Sequence, residues 1–360
     1  MSAGTTVDVD VDEAANPGAK LVAPVHAIDG ERLAAWLSEH VAPFAGPLDV
    51  RQFQGGQSNP TYRITAGERQ YILRRKPPGK LLPSAHAVDR EYRVMQALEG
   101  TDVPVPRMVA LCEDESVVGT AFYLMDYVRG RVLWDPTLPG MSPAQRAAHY
   151  DELNRVIAAL HGVDFAAVGL ADFGRHGGYV ERQVARWSKQ YAAAGIDPIP
   201  SMDRLIDWLP RHQPGDDETR IVHGDYRLDN VIFHPTEPRV LAVLDWELST
   251  LGHPLSDFAY QVMAWRLTPA QFRGIAGCDL AALGIPSEAD YVAAYCRRTG
   301  REAVPDLEVY LVFNLFRIAA ILHGVLARAV QGNAASQDAR DMGGRAERIA
   351  AIAWALAESL

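Results

Sequence analysis

Two neighbouring stretches of this chain decide its fold: Ile221-Val222-His223-Gly224-Asp225-Tyr226-Arg227-Leu228-Asp229-Asn230 and Val243-Leu244-Asp245-Trp246-Glu247. Residues 231–233 and 240–244 are β-prone runs, and the residues that separate them are rich in turn formers. The two runs are therefore predicted to pair as a hairpin. Such a hairpin brings Asn230 and Asp245 close together, where both can hold one divalent cation beside Asp225.

The residue types in this region suit phosphoryl transfer. Asp225 and Asn230 have four residues between them, which is the spacing of a kinase catalytic loop. We predict that Asp225 is the catalytic base and that His223 braces the loop. Asn230 and Asp245 are the predicted Mg²⁺ ligands, because this ion prefers hard oxygen donors. Each residue alone could be an ordinary cap or turn residue, so the prediction rests on the joint pattern.

Length, charge and cysteine usage narrow the class of protein. A chain of 360 residues suits two lobes, and its net charge of -10 argues against non-specific nucleic-acid binding. The three cysteines match no zinc or disulfide pattern, which favours a reducing cytoplasm. The acidic N-terminus lacks the apolar segment of a signal peptide, and no membrane helix is expected because no run of about 18 apolar residues occurs.

The chain is predicted to divide into a disordered tail (1–24), an N-terminal nucleotide-binding lobe (25–128) and a C-terminal catalytic and substrate-binding lobe (129–360). Within the first lobe, residues 48–75 are predicted as three strands around a glycine-containing loop. Glycines let the backbone approach a phosphate closely, so the loop's candidate nucleotide-binding residues are Gly55, Gly56 and Ser58. The same residues also suit an ordinary hairpin turn.

A helix is predicted over residues 84–98, and Glu91 falls on its apolar stripe. A carboxylate on that face needs a cationic partner, and Arg74 at the end of the preceding strand is the natural candidate. This pair would position nucleotide phosphates. The alternative is a boundary glutamate that pairs with Arg90 or Arg93 in solvent.

Near the end of the first lobe, residues 117–128 contain an apolar strand pattern, Ala121-Phe122-Tyr123-Leu124-Met125, which leads into a hinge. Backbone groups there could contact an adenine edge, which makes Met125 and Tyr127 candidate nucleotide-binding residues. The rest of the chain is predicted to be mostly helical, including a strongly apolar and buried helix over 307–330.

These residues resemble the aminoglycoside phosphotransferase family, relatives of choline kinases. The resemblance is strongest over 219–260, where Gly252-His253-Pro254-Leu255-Ser256-Asp257 follows the catalytic segment. The stretch from Leu73 to His86 is similar to the phosphotransferase-like domain attached to some acyl-CoA dehydrogenases and to free-standing bacterial homologues. The resemblance implies an α+β, protein-kinase-like fold with a small β-rich N-lobe, one key helix and a larger, mainly helical C-lobe.

The resemblance also implies roles for single residues and for ligands. ATP and Mg²⁺ would be the cofactors, Asp225 the base, Asn230 and Asp245 the metal ligands, and Asp257 a brace for the catalytic loop. The family's phosphate-gripping lysine is replaced by Arg74, and Lys76 lies two residues further on. The sequence leaves open which of the two cations grips ATP.

The predicted activity is transfer of the γ-phosphate to a hydroxyl of a small molecule. The predicted acceptor is a hydroxy acid or hydroxyacyl-CoA-like metabolite, or an aminoglycoside-like compound. The second would need acidic residues that precede the catalytic loop, which also suit a solvated face: Asp203, Asp207, Asp216, Asp217 and Glu218. Two other hypotheses are a nucleotide-binding pseudokinase or interaction module without turnover, and a hydrolase with a transition metal. No nucleic-acid or membrane partner is expected, and the chain could be a monomer or a homodimer.

Overall fold

The chain forms two compact units in a computed structural model that describes residues 20, 22, 27–41, 44, 47–53, 59–77, 87–330 and 338–360. Unit 1 contains the described residues up to Trp134 together with Leu228–Ser249, and unit 2 contains Asp135–Arg227 and Thr250–Leu360. The sequence analysis assigned everything after residue 128 to the second lobe. In the structure the hairpin of residues 228–249 clusters with unit 1 instead, so unit 1 is built from two separate stretches of chain.

Unit 1 contains a five-stranded antiparallel sheet with the order β1-β2-β3-β5-β4. Its strands are β1 (Leu48–Gln52), β2 (Thr61–Ala66), β3 (Arg69–Arg75), β4 (Met108–Cys112) and β5 (Phe122–Asp126). Buried and partly buried residues alternate along β2, so one face of the sheet supplies Tyr62 and Ile64 to the core. β4 was not foreseen from the sequence.

Three helices accompany this sheet: α1 (Gly30–His40), α2 (Val88–Leu98) and α3 (Glu115–Val118). The strand pattern predicted at residues 121–125 is present as β5, whereas Val117 and Val118, which precede it, lie in α3. Asp114 caps that helix by accepting a hydrogen bond from the Ser116 backbone, and Gly119 ends it in a left-handed conformation with φ of 88°. The predicted helix over 84–98 is described from Val88 onward.

The remaining strands are short: β6 (Arg131–Val132), β7 (Arg220–Val222), β8 (Val231–Phe233), β9 (Val240–Val243) and β10 (Thr250–Gly252). In unit 1 they form a sheet with the order β6-β8-β9, so the predicted hairpin is present as the β8–β9 pair. In unit 2, β7 pairs with β10. Gly130 lets β6 approach the hairpin, since a Cβ there would lie 2.3 Å from the Phe233 carbonyl oxygen.

Unit 2 is mainly helical. Its helices are α4 (Pro143–Gly162), α5 (Tyr179–Ala192), α6 (Pro200–Trp208), α7 (Pro254–Val262), α8 (Pro269–Phe272), α9 (Leu280–Leu283), α10 (Glu288–Thr299), α11 (Leu307–Val330) and α12 (Asp338–Glu358). The sheet-rich unit 1 and the helical unit 2 together confirm the predicted α+β class. The three cysteines are free, as their odd number suggested.

The apolar helix α11 forms much of the core of unit 2. Its stretch Leu307–Arg328 is the one segment among the described residues that is long and apolar enough to cross a membrane, although the sequence analysis expected none. Most of that stretch is buried inside the protein. Its polar residues serve the interior: Asn314 Nδ2 donates to the carbonyl oxygens of Ser256 (2.9 Å) and Tyr310 (3.0 Å). These contacts are those of a core helix.

Candidate active site

Unit 1 holds the predicted ion pair between strand β3 and helix α2. Arg74 Nε lies 3.1 Å from Glu91 Oε2, and the Glu91 side chain is only 1% exposed. The alternative of a solvent-exposed glutamate paired with Arg90 or Arg93 is therefore wrong. Lys76 lies just beyond β3, and its Nζ is 3.7 Å from Asp89 Oδ1. Of the two cations that the sequence left open, Arg74 is the one in the buried cluster.

Glu91 also accepts two hydrogen bonds that the sequence analysis missed. Asn59 Nδ2 donates to Oε1 at 2.7 Å, and the Tyr123 hydroxyl donates to Oε2 at 3.0 Å. Burial raises the pKa of Glu91, although the Arg74 charge opposes this shift. The carboxyl group is thus held from three sides, by β3, by β5 and by Asn59.

Arg74 also reaches the segment that follows the hairpin. Its Nη2 donates to Asp245 Oδ1 at 2.7 Å and lies 3.7 Å from Glu247 Oε2. Burial lowers the pKa of Arg74, but the surrounding acidic groups, Glu91 foremost, raise it by more. Asp245 has a left-handed backbone with φ of 64°, which is uncommon for a residue with a side chain. Backbone strain of this kind concentrates at functional sites.

The hairpin places Asn230 next to Asp245. Val231 pairs with Val243, and the Leu244 N–H donates to the Asn230 carbonyl oxygen at 2.8 Å, so the two residues flank the end of the β8–β9 ladder. Amide and carboxylate oxygens are hard donors that fit Mg²⁺, which is often held by one or two protein side chains together with substrate phosphates. In the described parts of the chain, no three His, Cys, Asp or Glu residues form a metal-binding group.

Among the described residues, the others predicted to contact the nucleotide are not part of the Arg74 cluster. Gly55, Gly56 and Ser58 lie outside the described residues. Met125 is a buried residue of β5 and pairs with Ile72 of β3. The Tyr127 N–H donates to the Gln70 carbonyl oxygen at 3.2 Å, so this group is used within unit 1. The Tyr127 N–H is thus not positioned to donate to an adenine edge in this structure.

Unit 2 holds the predicted catalytic loop by its backbone. The His223 N–H donates to Asp257 Oδ2 at 2.7 Å, and the Gly224 N–H donates to Asp257 Oδ1 at 2.8 Å. Gly224 has a φ of 84°, a conformation that glycine adopts without steric cost. Asp257 lies in the first turn of α7, and its carboxylate fixes two consecutive peptide groups of the loop.

Asp257 is itself fixed by residues of α4 and α10. Its Oδ2 lies 3.3 Å from His161 Nε2, and His161 Nδ1 lies 2.8 Å from the Tyr295 hydroxyl. Burial raises the pKa of Asp257, but the hydrogen bond and charge of His161, together with His223, lower it by more. The carboxylate is thus held in its ionised form, which is the form that accepts hydrogen bonds.

His223 and Asp225 contact each other within this loop. The Asp225 N–H donates to His223 Nδ1 at 3.1 Å, so the imidazole supports the peptide of the predicted base. Asp225 Oδ1 accepts a hydrogen bond from the Tyr260 hydroxyl and lies 3.4 Å from Arg227 Nε. Tyr260 was not identified from the sequence, because a tyrosine inside an apolar helix gives no signal of its own.

Comparison with solved structures gives the class of protein. A candidate aminoglycoside phosphotransferase from Ralstonia eutropha JMP134 is 58% identical, with a TM-score of 0.85, and the match covers 92% of this chain and 99% of that one. A mutant of the aminoglycoside phosphotransferase APH(4)-Ia, solved with ADP and hygromycin B, has a TM-score of 0.56 at 16% identity, over 88% of this chain and 97% of its own. The predicted kinase-like fold is confirmed. The protein is a phosphotransferase of the small-molecule kinase class.

The family follows from the sequence comparisons. The model of the phosphotransferase enzyme family matches residues 49–305, and the chain belongs to this family. The mouse acyl-CoA dehydrogenase family member 10 is 49% identical over 312 residues, which are 86% of this chain and 29% of that protein. The human family member 11 is 41% identical over 347 residues, 94% of this chain and 43% of that protein. The chain therefore spans less than half the length of these relatives.

Proposed function

We propose that this chain is an ATP- and Mg²⁺-dependent kinase that transfers the γ-phosphoryl group to a hydroxyl of an anionic small molecule. The observation that carries this proposal is the Arg74 cluster, in which one buried guanidinium contacts both Glu91 and the predicted metal ligand Asp245. Such a cluster offers polyphosphate a fixed cation beside hard oxygen donors. The complexes of APH(4)-Ia with ADP and with AMP-PNP support a nucleotide as the donor.

In unit 1, Arg74 would bind the phosphates, while Asn230 and Asp245 would hold Mg²⁺. When bound, the ion supplies charge that neutralises the phosphate oxygens. Because Asp245 Oδ1 already accepts from Arg74, the guanidinium and the ion would share one carboxylate. Glu91 keeps Arg74 in place through a second nitrogen, which a lysine could not offer.

In unit 2, Asp225 would accept the proton of the acceptor hydroxyl. As the acceptor oxygen bonds to the γ-phosphorus, its proton passes to Asp225. The bond between the γ-phosphorus and the bridging oxygen breaks, and ADP leaves with that electron pair. His223 and Asp257 would act through the loop backbone, which they hold at Asp225, His223 and Gly224.

Two of the five acidic residues that could have received a polycation are engaged in other contacts. Glu218 accepts from Arg220 Nε at 2.8 Å and also from Arg301, and these contacts lower its pKa although burial opposes them. Asp217 Oδ1 accepts from the Gly178 N–H at 2.7 Å. These carboxylates serve the local fold, which disfavours an aminoglycoside as the acceptor.

Two arginines, Arg227 and Arg273, instead interact with the charge of the predicted base. Arg227 lies 3.4 Å from Asp225, and Arg273 follows α8 in a left-handed conformation with φ of 43°. Burial and the charge of Arg227 lower the pKa of Arg273, and Arg345 acts in the same direction. Two guanidinium groups, those of Arg227 and Arg273, therefore interact with the Asp225 carboxylate and favour an acceptor that carries negative charge. A hydroxy acid or a hydroxyacyl-CoA fits this charge and agrees with the dehydrogenase relatives.

The test is ATP consumption with Mg²⁺ across matched acceptors. Hydroxyacyl-CoAs and hydroxy acids are compared with the same molecules lacking the hydroxyl, and with choline, sugars and aminoglycosides. Asp225→Asn should lower turnover by about 10²- to 10⁴-fold, the range for loss of a general base. Asp151→Asn is the matched control, because Asp151 contacts Arg298 at the exposed surface of unit 2.

Each outcome has a distinct meaning. Consumption that needs the hydroxyl and is lost in Asp225→Asn supports the kinase and names its acceptor class. Faster turnover of aminoglycosides than of anionic acceptors would contradict the charge argument. ATP binding without turnover of any acceptor would favour the pseudokinase, and equal activity of Asp225→Asn and Asp151→Asn would remove Asp225 from the mechanism.

A further inference from the structure

Unit 2 contains a buried tyrosine that contacts the predicted base directly. The Tyr260 hydroxyl donates a hydrogen bond to Asp225 Oδ1, and Tyr260 is 7% exposed. Tyr260 lies on α7, three residues after Asp257, which accepts from two N–H groups of the same loop. Because residues three apart share one face of a helix, α7 directs a carboxylate and a phenol to one short loop.

The Tyr260 hydroxyl is a hydrogen-bond donor and not a second base. Burial and the charge of Asp225 raise the pKa of Tyr260 above that of a free phenol. The phenol therefore keeps its proton at physiological pH and offers it to Asp225. A buried donor at a fixed position restricts rotation of the carboxylate, whereas a water molecule in its place could move with it.

Arg317 of helix α11 supports both partners of this contact. Its Nη2 donates to the Gly224 carbonyl oxygen, in the peptide that immediately precedes Asp225. Its guanidinium carbon also lies 5.0 Å from the centroid of the Tyr260 ring, within the range of a cation–π contact. Arg317 is 4% exposed, so both contacts are shielded from solvent.

We propose that Tyr260 is a positioning residue that sets the orientation of the Asp225 carboxylate. Arg317 in turn fixes the positions of the Tyr260 ring and of the Gly224 carbonyl oxygen. This inference rests on the proposed function, in which Asp225 accepts the proton of the acceptor hydroxyl. Tyr260 acts through Asp225, so its removal should slow the chemical step and leave ground-state binding of nucleotide and acceptor nearly unchanged.

The test is Tyr260→Phe, which removes one oxygen and keeps the ring beside Arg317. We expect kcat to fall by about 10- to 100-fold, the cost of a base that is no longer held in the reactive geometry. KM for ATP and for the acceptor should change by no more than about twofold. Tyr150→Phe is the matched control, because the buried Tyr150 hydroxyl donates to the Pro136 carbonyl oxygen at 2.7 Å in the same unit.

A double-mutant cycle separates positioning from a structural role. In the Asp225→Asn background, Tyr260→Phe should have no further effect on residual turnover, because the base it orients is gone. Three results would each overturn the inference. They are a wild-type kcat in Tyr260→Phe, an equal loss of kcat in Tyr150→Phe, and a Tyr260→Phe effect on turnover that is as large in the Asp225→Asn background as in the wild type. If Asp225→Asn keeps full turnover, the proposed function itself fails and the role of Tyr260 falls with it.

Discussion

The predicted site residues of unit 1 and those of unit 2 are held by different kinds of contact. In unit 2, Asp257 accepts from the backbone N–H groups of His223 and Gly224, so a side chain fixes a stretch of main chain. In unit 1, Arg74 contacts Glu91 and Asp245, so side chains hold one another. The first arrangement fixes the path of a loop, and the second fixes the placement of charge.

This difference separates stability from ligand binding. A peptide N–H that loses a buried carboxylate has no ligand to replace it, so the cost falls on the folded state. A guanidinium that loses one carboxylate can gain a phosphate in its place, so the cost falls on affinity. Changes in unit 2 should therefore appear first in unfolding experiments, and changes in the Arg74 cluster should appear first in binding experiments.

The largest effect on stability is expected from Asp257→Asn. The amide removes the negative charge that two N–H groups and His161 face, and the free energy of unfolding should fall by about 3 kcal/mol. Urea unfolding measures this loss. Asp279→Asn is the matched control: Asp279 also accepts from a backbone N–H, but at an exposed helix start, and asparagine caps about as well there, within about 0.5 kcal/mol. Equal losses in the two variants would show that the buried Asp257 contacts stabilise the protein no more than an exposed helix cap.

Arg74→Met is expected to have an intermediate effect, and this effect should appear in the affinity for ATP. The ATP dissociation constant should rise by about 10- to 100-fold, measured by calorimetry with Mg²⁺ present. Glu91 keeps Asn59 and Tyr123 as donors, and burial already raises its pKa, so stability should fall less than in Asp257→Asn.

Arg32→Met is the control for Arg74. Arg32 forms an exposed ion pair with Asp29 in the same unit, and such pairs contribute little. Unchanged ATP affinity in Arg74→Met, with a large loss of stability, would show that the cluster is a structural ion pair. Arg74→Lys would then sharpen the result, because it keeps the charge and loses the second nitrogen.

The smallest effect is expected on stability when the pH is lowered from 7 to 6. Burial lowers the pKa of His253, which caps α7 through Nδ1, although nearby Asp216 opposes the shift. Below the unfolded pKa of about 6.5 the unfolded chain binds the proton more readily, so stability falls as pH falls. His253 should cost about 0.5 kcal/mol between pH 7 and pH 6, and His253→Gln should reduce this slope in urea unfolding. An unchanged slope would assign the acid sensitivity elsewhere.

Local patterns in the sequence were enough to predict the elements whose residues lie near one another in the chain. The β-prone runs around a turn predicted the β8–β9 hairpin, and helical spacing placed Glu91 on the buried side of α2. The apolar run of residues 121–125 likewise predicted β5, whereas the short helix α3, bounded by the Asp114 cap and Gly119, was not foreseen.

The supports of the site could not be predicted from the sequence. Tyr260 and Arg317 reach the catalytic loop from helices far along the chain, and an arginine in an apolar helix gives no sign of which carbonyl it meets. Asn59 was seen only as part of a glycine-containing loop, although it donates to Glu91. Such contacts depend on packing between distant elements, which periodicity does not report.

The divided composition of unit 1 has a consequence for the order in which the chain is made. A ribosome releases the residues up to Trp134 first, then all of 135–227, and only afterwards the hairpin Leu228–Ser249. Until that hairpin emerges, β6 lacks its neighbour β8, and Arg74 lacks Asp245. Domains are often completed one by one from the N-terminus during synthesis, but unit 1 lacks its three-stranded sheet until the hairpin has been made.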